Sequence, residues 1–355
     1  MMLRKHHTDL RDDEGLALLL TLVFIVLLTA LVLNFSYDVQ VDATLIGNGS
    51  SDRDAYLAAR SGIATALSVL HADVLNNADG QSQEIYDGPD EPWSLPGEPL
   101  LIRDAVVNMT IRDEYGKLNL NALIYVDQDG IEVEHPVLVA ALETLFANTR
   151  QLDKSPVDVI LDWLDNDDNP RPNGAESDYY EALDFPLTCK NGPMDSIEEL
   201  LLLPGMTPEI YFGSEELEDL PLYDVLTVHG NPEGKINANT ALVEVIDAVL
   251  SSQPDLPQAP ADAAEVTGYV EQNGAFISEQ QLSDLGIISL GDPNAQPPVP
   301  PTFPIMFDIK SDVFRIWSDA QLDDTDVRIE IYARRDTQQT GESQMFRIVD
   351  WREYR

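Results

Sequence analysis

Cysteine is almost missing from this chain. Cys189 stands alone, so no disulfide can form within the chain, and the fold has to rest on apolar burial rather than covalent staples. Positive charge is scarce as well. The 21 Lys and Arg face 63 Asp and Glu, giving a formal net charge of −42, and a field of that sign repels nucleic acid and anionic lipid while favouring cations or basic partners. Histidine is thin too: His6 and His7 lie near the N-terminus, and His71, His135 and His229 are scattered, none of them close to Cys189 in sequence. There is no G-x-S-x-G elbow, no H-E-x-x-H pair and no glycine-rich phosphate loop. Catalysis is left without a constellation, and the chain reads as a non-enzyme.

Charge of either sign is absent from one long stretch. Leu16 to Leu33 carries no ionisable residue, and at about 1.5 Å per residue this run spans roughly 27 Å, close to the hydrocarbon thickness of a bilayer. Arg4, Lys5 and Arg11 precede it, which by the positive-inside rule keeps the N-terminus cytoplasmic and exports the residues beyond Leu33. No small-residue cleavage site stands after the run, where Asn34-Phe35-Ser36-Tyr37 continues instead, so the stretch reads as a retained single-pass anchor in a cell membrane rather than a removed signal.

Beyond the anchor, apolar residues keep helical spacing from Asp38 to about Asn76, with Gly47-Asn48-Gly49-Ser50 expected to kink or interrupt the helix. Val106–Arg112 alternates as a strand, and three further strand candidates close the chain at Val313–Trp317, Val327–Ala333 and Met345–Trp351. Between them lie helical blocks at Pro136–Leu152, Pro156–Leu164, Ser196–Leu203, Thr240–Ser252, Ala261–Asn273 and Ser278–Leu285, and then a Pro-rich connection, Pro293–Pro304. The expected fold class is α+β: an antiparallel sheet packed on the stalk helix, with a large, mainly helical insertion between its strands. The corresponding division is 1–15 leader, 16–37 membrane helix, 38–118 helix and first strands, 119–290 helical insertion, 291–304 linker and 305–355 last strands.

The densest polar tract runs from Asp165 to Glu176. Asp165, Asp167, Asn169 and Glu176 take the first, third, fifth and twelfth positions of an EF-hand calcium loop, and hard oxygen donors at those intervals can converge on one Ca²⁺. The sixth position is Pro170 rather than the turn-forming Gly, so a differently wound loop is expected. Asp178 and Asp184 are weaker candidates. Cys189 reads as a buried thiol. A second tract, Leu200–Ile210, has the Leu-Pro-Gly turn of a helix-hairpin-helix unit, with Lys117–Ala122, Lys235–Ala241 and Gln281–Ile287 as related segments. Such turns often present amides to DNA phosphate, but Glu198, Glu199 and Glu209 surround this one. Without Lys or Arg nearby these units are expected to serve packing, and no nucleic acid is expected as a partner.

The segment Gly15-Leu16-Ala17-Leu18 resembles the site cut by prepilin peptidase in type IV pilin-like proteins, which would remove residues 1–15 between Gly15 and Leu16. The fifth residue after the cut, commonly Glu in that superfamily, is Leu20 here. That absence, the small-residue tract Ala55–Gly62, the acidic tract around Asp165 and the helical insertion together resemble the general secretion pathway protein K family, the minor pseudopilins of type II secretion. The resemblance implies a pilin-like sheet with an inserted helical domain, and Ca²⁺ becomes an expected cofactor. It also implies an inner-membrane anchor with the folded mass in the periplasm. Minor pseudopilins of the I and J types, the major pseudopilin and prepilin peptidase are the implied partners, and capping or starting the pseudopilus tip is the implied role. The alternative reading is a membrane-anchored helix-hairpin-helix protein of DNA uptake.

Overall fold

The computed structural model describes residues 10–78, 86–150, 156–213, 220–253, 261–291, 305–336 and 346–354. The Pro293–Pro304 connection and residues 1–9 of the expected leader lie outside these. One α-helix, Leu10–Ala78, opens the described residues. It runs through Gly47 and Gly49 without interruption, against the break expected there. Each glycine costs about 1 kcal/mol relative to Ala in a helix, which a helix of 69 residues absorbs, and neither has a neighbouring atom to accommodate. Its first part, Leu16–Asp42, is long and apolar enough to cross a membrane, with mean hydropathy 3.1 and none of it buried.

The rest of the helix turns one face to a sheet. Ala55, Ala58, Ala59, Ile63, Ala66 and Leu70 are all buried, at the three- and four-residue intervals that make a single stripe. Gly62 leaves room for the sheet's side chains, since a Cβ there would meet those of Ser318 and Val107. The sheet has five antiparallel strands in the order Leu100–Ile102, Ala105–Asp113, Val313–Leu322, Thr325–Arg335 and Phe346–Tyr354. Val107 pairs with Ala320, Ile111 with Ile316, and Ile316 with Ile331. Phe314, Ile316, Ser318 and Ala320 alternate inward on one strand, and Val327, Ile329, Ile331 and Ala333 are buried on the next. On the outward face the Arg112 and Arg315 guanidinium groups sit 5.4 and 5.3 Å from the Trp317 ring centre.

Between the second and third strands of this sheet the chain builds a separate core. Its main helices are Pro136–Arg150, Val157–Leu164, Val243–Ser251 and Ala263–Asn273. Leu138, Leu142, Phe146, Val245, Ile246 and Val249 fill the centre. The Leu200–Ile210 tract becomes a 3-10 helix, Ile197–Leu202, a turn with Gly205 at φ +85°, and a helix, Pro208–Phe212. Leu200, Leu203 and Met206 from this tract, and Tyr211 just after it, are buried in the core. Of the related tracts, Lys117–Ala122 contributes a two-residue strand and a 3-10 turn, and Lys235–Ala241 a two-residue strand.

Candidate metal centre

The helix Val157–Leu164 carries Asp162 on its last turn and ends at Asp165, whose extended backbone starts the acidic loop. The loop returns to the helix it left. Asn173 donates its amide and its Nδ2 to Asp158 Oδ2 at 3.1 and 3.0 Å, and Gly174 comes so near Asp162 that a Cβ would collide with the carboxylate. Glu176 comes next, at the N-cap of the helix Ser177–Glu181. Asp162, Asp165 and Glu176 are all buried, and each offers a carboxylate oxygen within 4.8 Å of the other two.

One cation lies among them. Arg171 Nη1 donates to Asp162 Oδ1 at 2.6 Å and to Asp165 Oδ2 at 2.5 Å, while its Nε and Nη2 reach Glu134 Oε1. With all three buried carboxyl groups ionised, a single guanidinium that also serves Glu134 leaves two negative charges uncompensated. The deficit has an atomic location, because Asp165 Oδ1 and Glu176 Oε1 are buried without any hydrogen-bond partner. Burial, followed by the charges of Asp162 and Asp165, pushes the Glu176 carboxyl up to about 7, and burial also raises Asp165 against the pull of Arg171. Cys189 closes one side. Its thiol points at Glu176 Oε2 from 3.7 Å and is itself pushed up to about 11 by burial.

These are hard oxygen donors with no imidazole among them, and two of the oxygens are unspent. The set suits Ca²⁺, which accepts carboxylate and carbonyl oxygens in flexible geometry. Asp165 and Glu176 meet in this cluster. Asp167 and Asn169 lie on the exposed side of the loop, where Asp167 Oδ1 accepts the Asn169 amide and Nδ2 at 2.7 and 2.8 Å. Asp178 is exposed in the first turn of the next helix, and Asp184 is exposed beyond it. Asp168 pins the loop by accepting from Ser177 Oγ and Asn191 Nδ2. Sequence reasoning misses Asp162 and Arg171. The i, i+3 spacing of Asp162 and Asp165 at a helix end is the signal that could have found the first.

Residues 116–213, which contain this entire cluster, match the family model for type II secretion system (T2SS), protein K. The chain resembles type II secretion protein K. Protein K of Pseudomonas aeruginosa is 27% identical over 269 residues, 73% of this chain and 74% of the relative. Protein K of Pectobacterium carotovorum is 24% identical over 204 residues, 54% of this chain and 62% of the relative. The chain spans about 60% of the length of several protein K relatives that it matches. Its fold is shared with a chain of the crystal structure of the GspK-GspI-GspJ complex from the enterotoxigenic Escherichia coli type 2 secretion system, at TM-score 0.59 and 19% identity, covering 87% of this chain and 98% of that one. The DNA-uptake alternative finds no support among these protein K matches.

Proposed function

We propose that the chain acts as a minor pseudopilin of type II secretion, a structural rather than catalytic part that starts or caps the pseudopilus tip. The observation that carries this reading is the construction of the long helix: a bare apolar half, Leu16–Asp42, continued by a half packed on an antiparallel sheet, with the protein K match lying in the insertion of that sheet. The apolar half would sit in the inner membrane with the folded mass in the periplasm, after prepilin peptidase cuts between Gly15 and Leu16. Leu20, 59% exposed on the helix, offers no carboxylate to the amine of a neighbouring subunit, and the bulky insertion adds a steric obstacle to stacking above it. Two apolar cores support a division into a helix-and-sheet unit and an inserted unit, and the second core takes in Leu118, Met306, Phe307 and Ile309 from beyond the expected 119–290 bounds. In this reading the helix-hairpin-helix-like units serve packing.

Partners of the I and J types are inferred from the shared fold with a chain of a GspK-GspI-GspJ complex, and the major pseudopilin and prepilin peptidase from the helix itself. Asp162, Asp165 and Glu176 would hold Ca²⁺, which supplies the positive charge that Arg171 leaves lacking and ties the helix end to the loop and the next helix. The test of the main reading is the intact mass of the membrane-embedded chain expressed with and without an active prepilin peptidase. Loss of residues 1–15 only with the peptidase is expected, and an uncut chain would sink the proposal. For the cation, Asp165→Ala combined with Glu176→Ala should lower the calcium-dependent rise in melting temperature, whereas an unchanged shift would place any ion elsewhere.

A further inference from the structure

A second group of buried carboxylates lies outside the protein K match, where the long helix ends. Asp73 comes from the last turns of that helix, and Asp87 and Glu91 from the turn before the sheet. All three are buried, and each offers an oxygen within 4.8 Å of the other two. The local cation is already committed. Arg335, on the last position of its strand, grips Asp87 with both terminal nitrogens, Nη2 to Oδ1 at 2.8 Å and Nη1 to Oδ2 at 3.2 Å. Asp87 Oδ2 also accepts the Ser311 amide at 2.8 Å. Glu91 Oε2 takes the Gly88 amide and the Trp93 indole, at 3.0 and 2.8 Å.

Asp73 is served least. It is 6% exposed, its Oδ2 has no hydrogen-bond partner, Arg335 Nη2 reaches that oxygen only as an ion pair at 3.7 Å, and a side-chain hydrogen bond links Asp73 to Glu91. A carboxylate oxygen buried in this state is strongly unfavourable unless something compensates it. With all three acids ionised, one Arg again leaves two negative charges.

We propose that Asp73, Asp87 and Glu91 form a second divalent-cation site, of calcium's size and hardness, which fastens the C-terminal end of the long helix to the turn that enters the sheet. The donors are all carboxylate oxygens, and separations up to 4.8 Å are those of opposed ligands on an ion bound at about 2.3–2.6 Å. The ion would add the two positive charges that Arg335 does not provide. It would also hold together segments that meet here from distant parts of the chain, since the Asp87 carbonyl accepts from Asn237 Nδ2 in the insertion at 3.0 Å. The competing occupant is a proton shared between Asp73 and Glu91. Burial, then the charge of Asp73, pushes Glu91 up to about 8, so the two occupants compete near neutral pH and the experiment has to separate them.

The experiment uses the full chain in detergent, with Asp165→Asn and Glu176→Gln removing the first centre. Calcium titration by calorimetry should still give one bound ion in this background, and adding Asp73→Asn should remove it. If Asp73→Asn does not fold, terbium replaces calcium as the probe. Trp93, bonded to Glu91, should then sensitise terbium emission in the double variant, and Trp93→Phe should cut that emission several-fold. The proposal is overturned if the double variant binds no calcium at millimolar concentration, or if terbium emission is indifferent to Trp93. It is equally overturned if Asp73→Asn melts higher than its parent in EDTA and neither protein responds to calcium, because that pattern identifies the shared proton.

Discussion

At the scale of residues, the acidic loop was legible where charge alone dictated the answer and opaque where backbone geometry did. Asp165 and Glu176 come together as hard donors. Asp167 and Asn169 turn outward, because Pro170 has no amide to give and holds the residue before it extended, so the loop cannot wind as the spacing template assumes. Arg171 was invisible because a lone cation in an acidic tract looks solvated until the fold places it between Asp162 and Asp165. The close approach at Gly174 gives a direct test: Gly174→Ala should destabilise the chain by roughly 1–3 kcal/mol through overpacking, read as a lower urea midpoint. Asp113 gives a second. Burial, only partly opposed by Ser311, Thr240 and the Tyr115 amide, lifts its carboxyl from 3.8 to about 6. The folded chain therefore holds a proton that the unfolded chain has released, so this group's contribution is full below about pH 4 and is lost as the pH climbs through 6. Unfolding free energies of the native chain and of Asp113→Asn, compared at about pH 4.5 and about pH 7, should differ in that direction. An identical pH slope in both would show that Asp113 titrates normally.

At the scale of elements, the long strands and helices were readable from periodicity, and most of what was missed is short. The strand expected at Val313–Trp317 extends to Leu322, and its neighbour begins at Thr325, because a tight turn with Asp323 at φ +53° joins them into one hairpin. Leu100–Ile102 went unseen for a similar reason. Its turn uses Arg103 and Asp104, both at positive φ, where Asn-Gly would have announced a two-residue hairpin. The expected break at Gly47 and Gly49 fails because glycine lowers helix propensity without forbidding the helical conformation. Replacing both by Ala should stabilise this stretch by about 1 kcal/mol per site, visible as slower amide hydrogen exchange around residue 48, with no loss elsewhere since neither site meets a neighbour. Leu20→Glu lies on the exposed apolar half. It should leave the melting of the folded part unchanged and alter only co-purification with the pseudopilin partners proposed above, and a shifted melting temperature would contradict the purely assembly role proposed for that position.

At the scale of the whole molecule, two apolar cores are joined by a small polar junction. Asn237, fully buried, places Nδ2 within 2.9–3.0 Å of Asp113 Oδ2, Ser311 Oγ and the Asp87 carbonyl, which belong to three segments flanking the sheet. Asn237→Ala leaves these acceptors without their shared donor and should cost about 1–3 kcal/mol. A loss of cooperativity in the unfolding transition would show that the junction also couples the cores. None of this is visible in the sequence, since an Asn in a polar tract has no periodicity to betray its partners. The nesting of one core between two strands of the other also bears on how the chain reaches its final state. Val106 must find Gln321, so the second strand waits for a partner roughly two hundred residues downstream, while the helices of the insertion need only local contacts. The insertion should therefore gain structure first and shorten the effective loop, leaving the sheet, and with it the grip on the long helix, as the last and slowest event of folding.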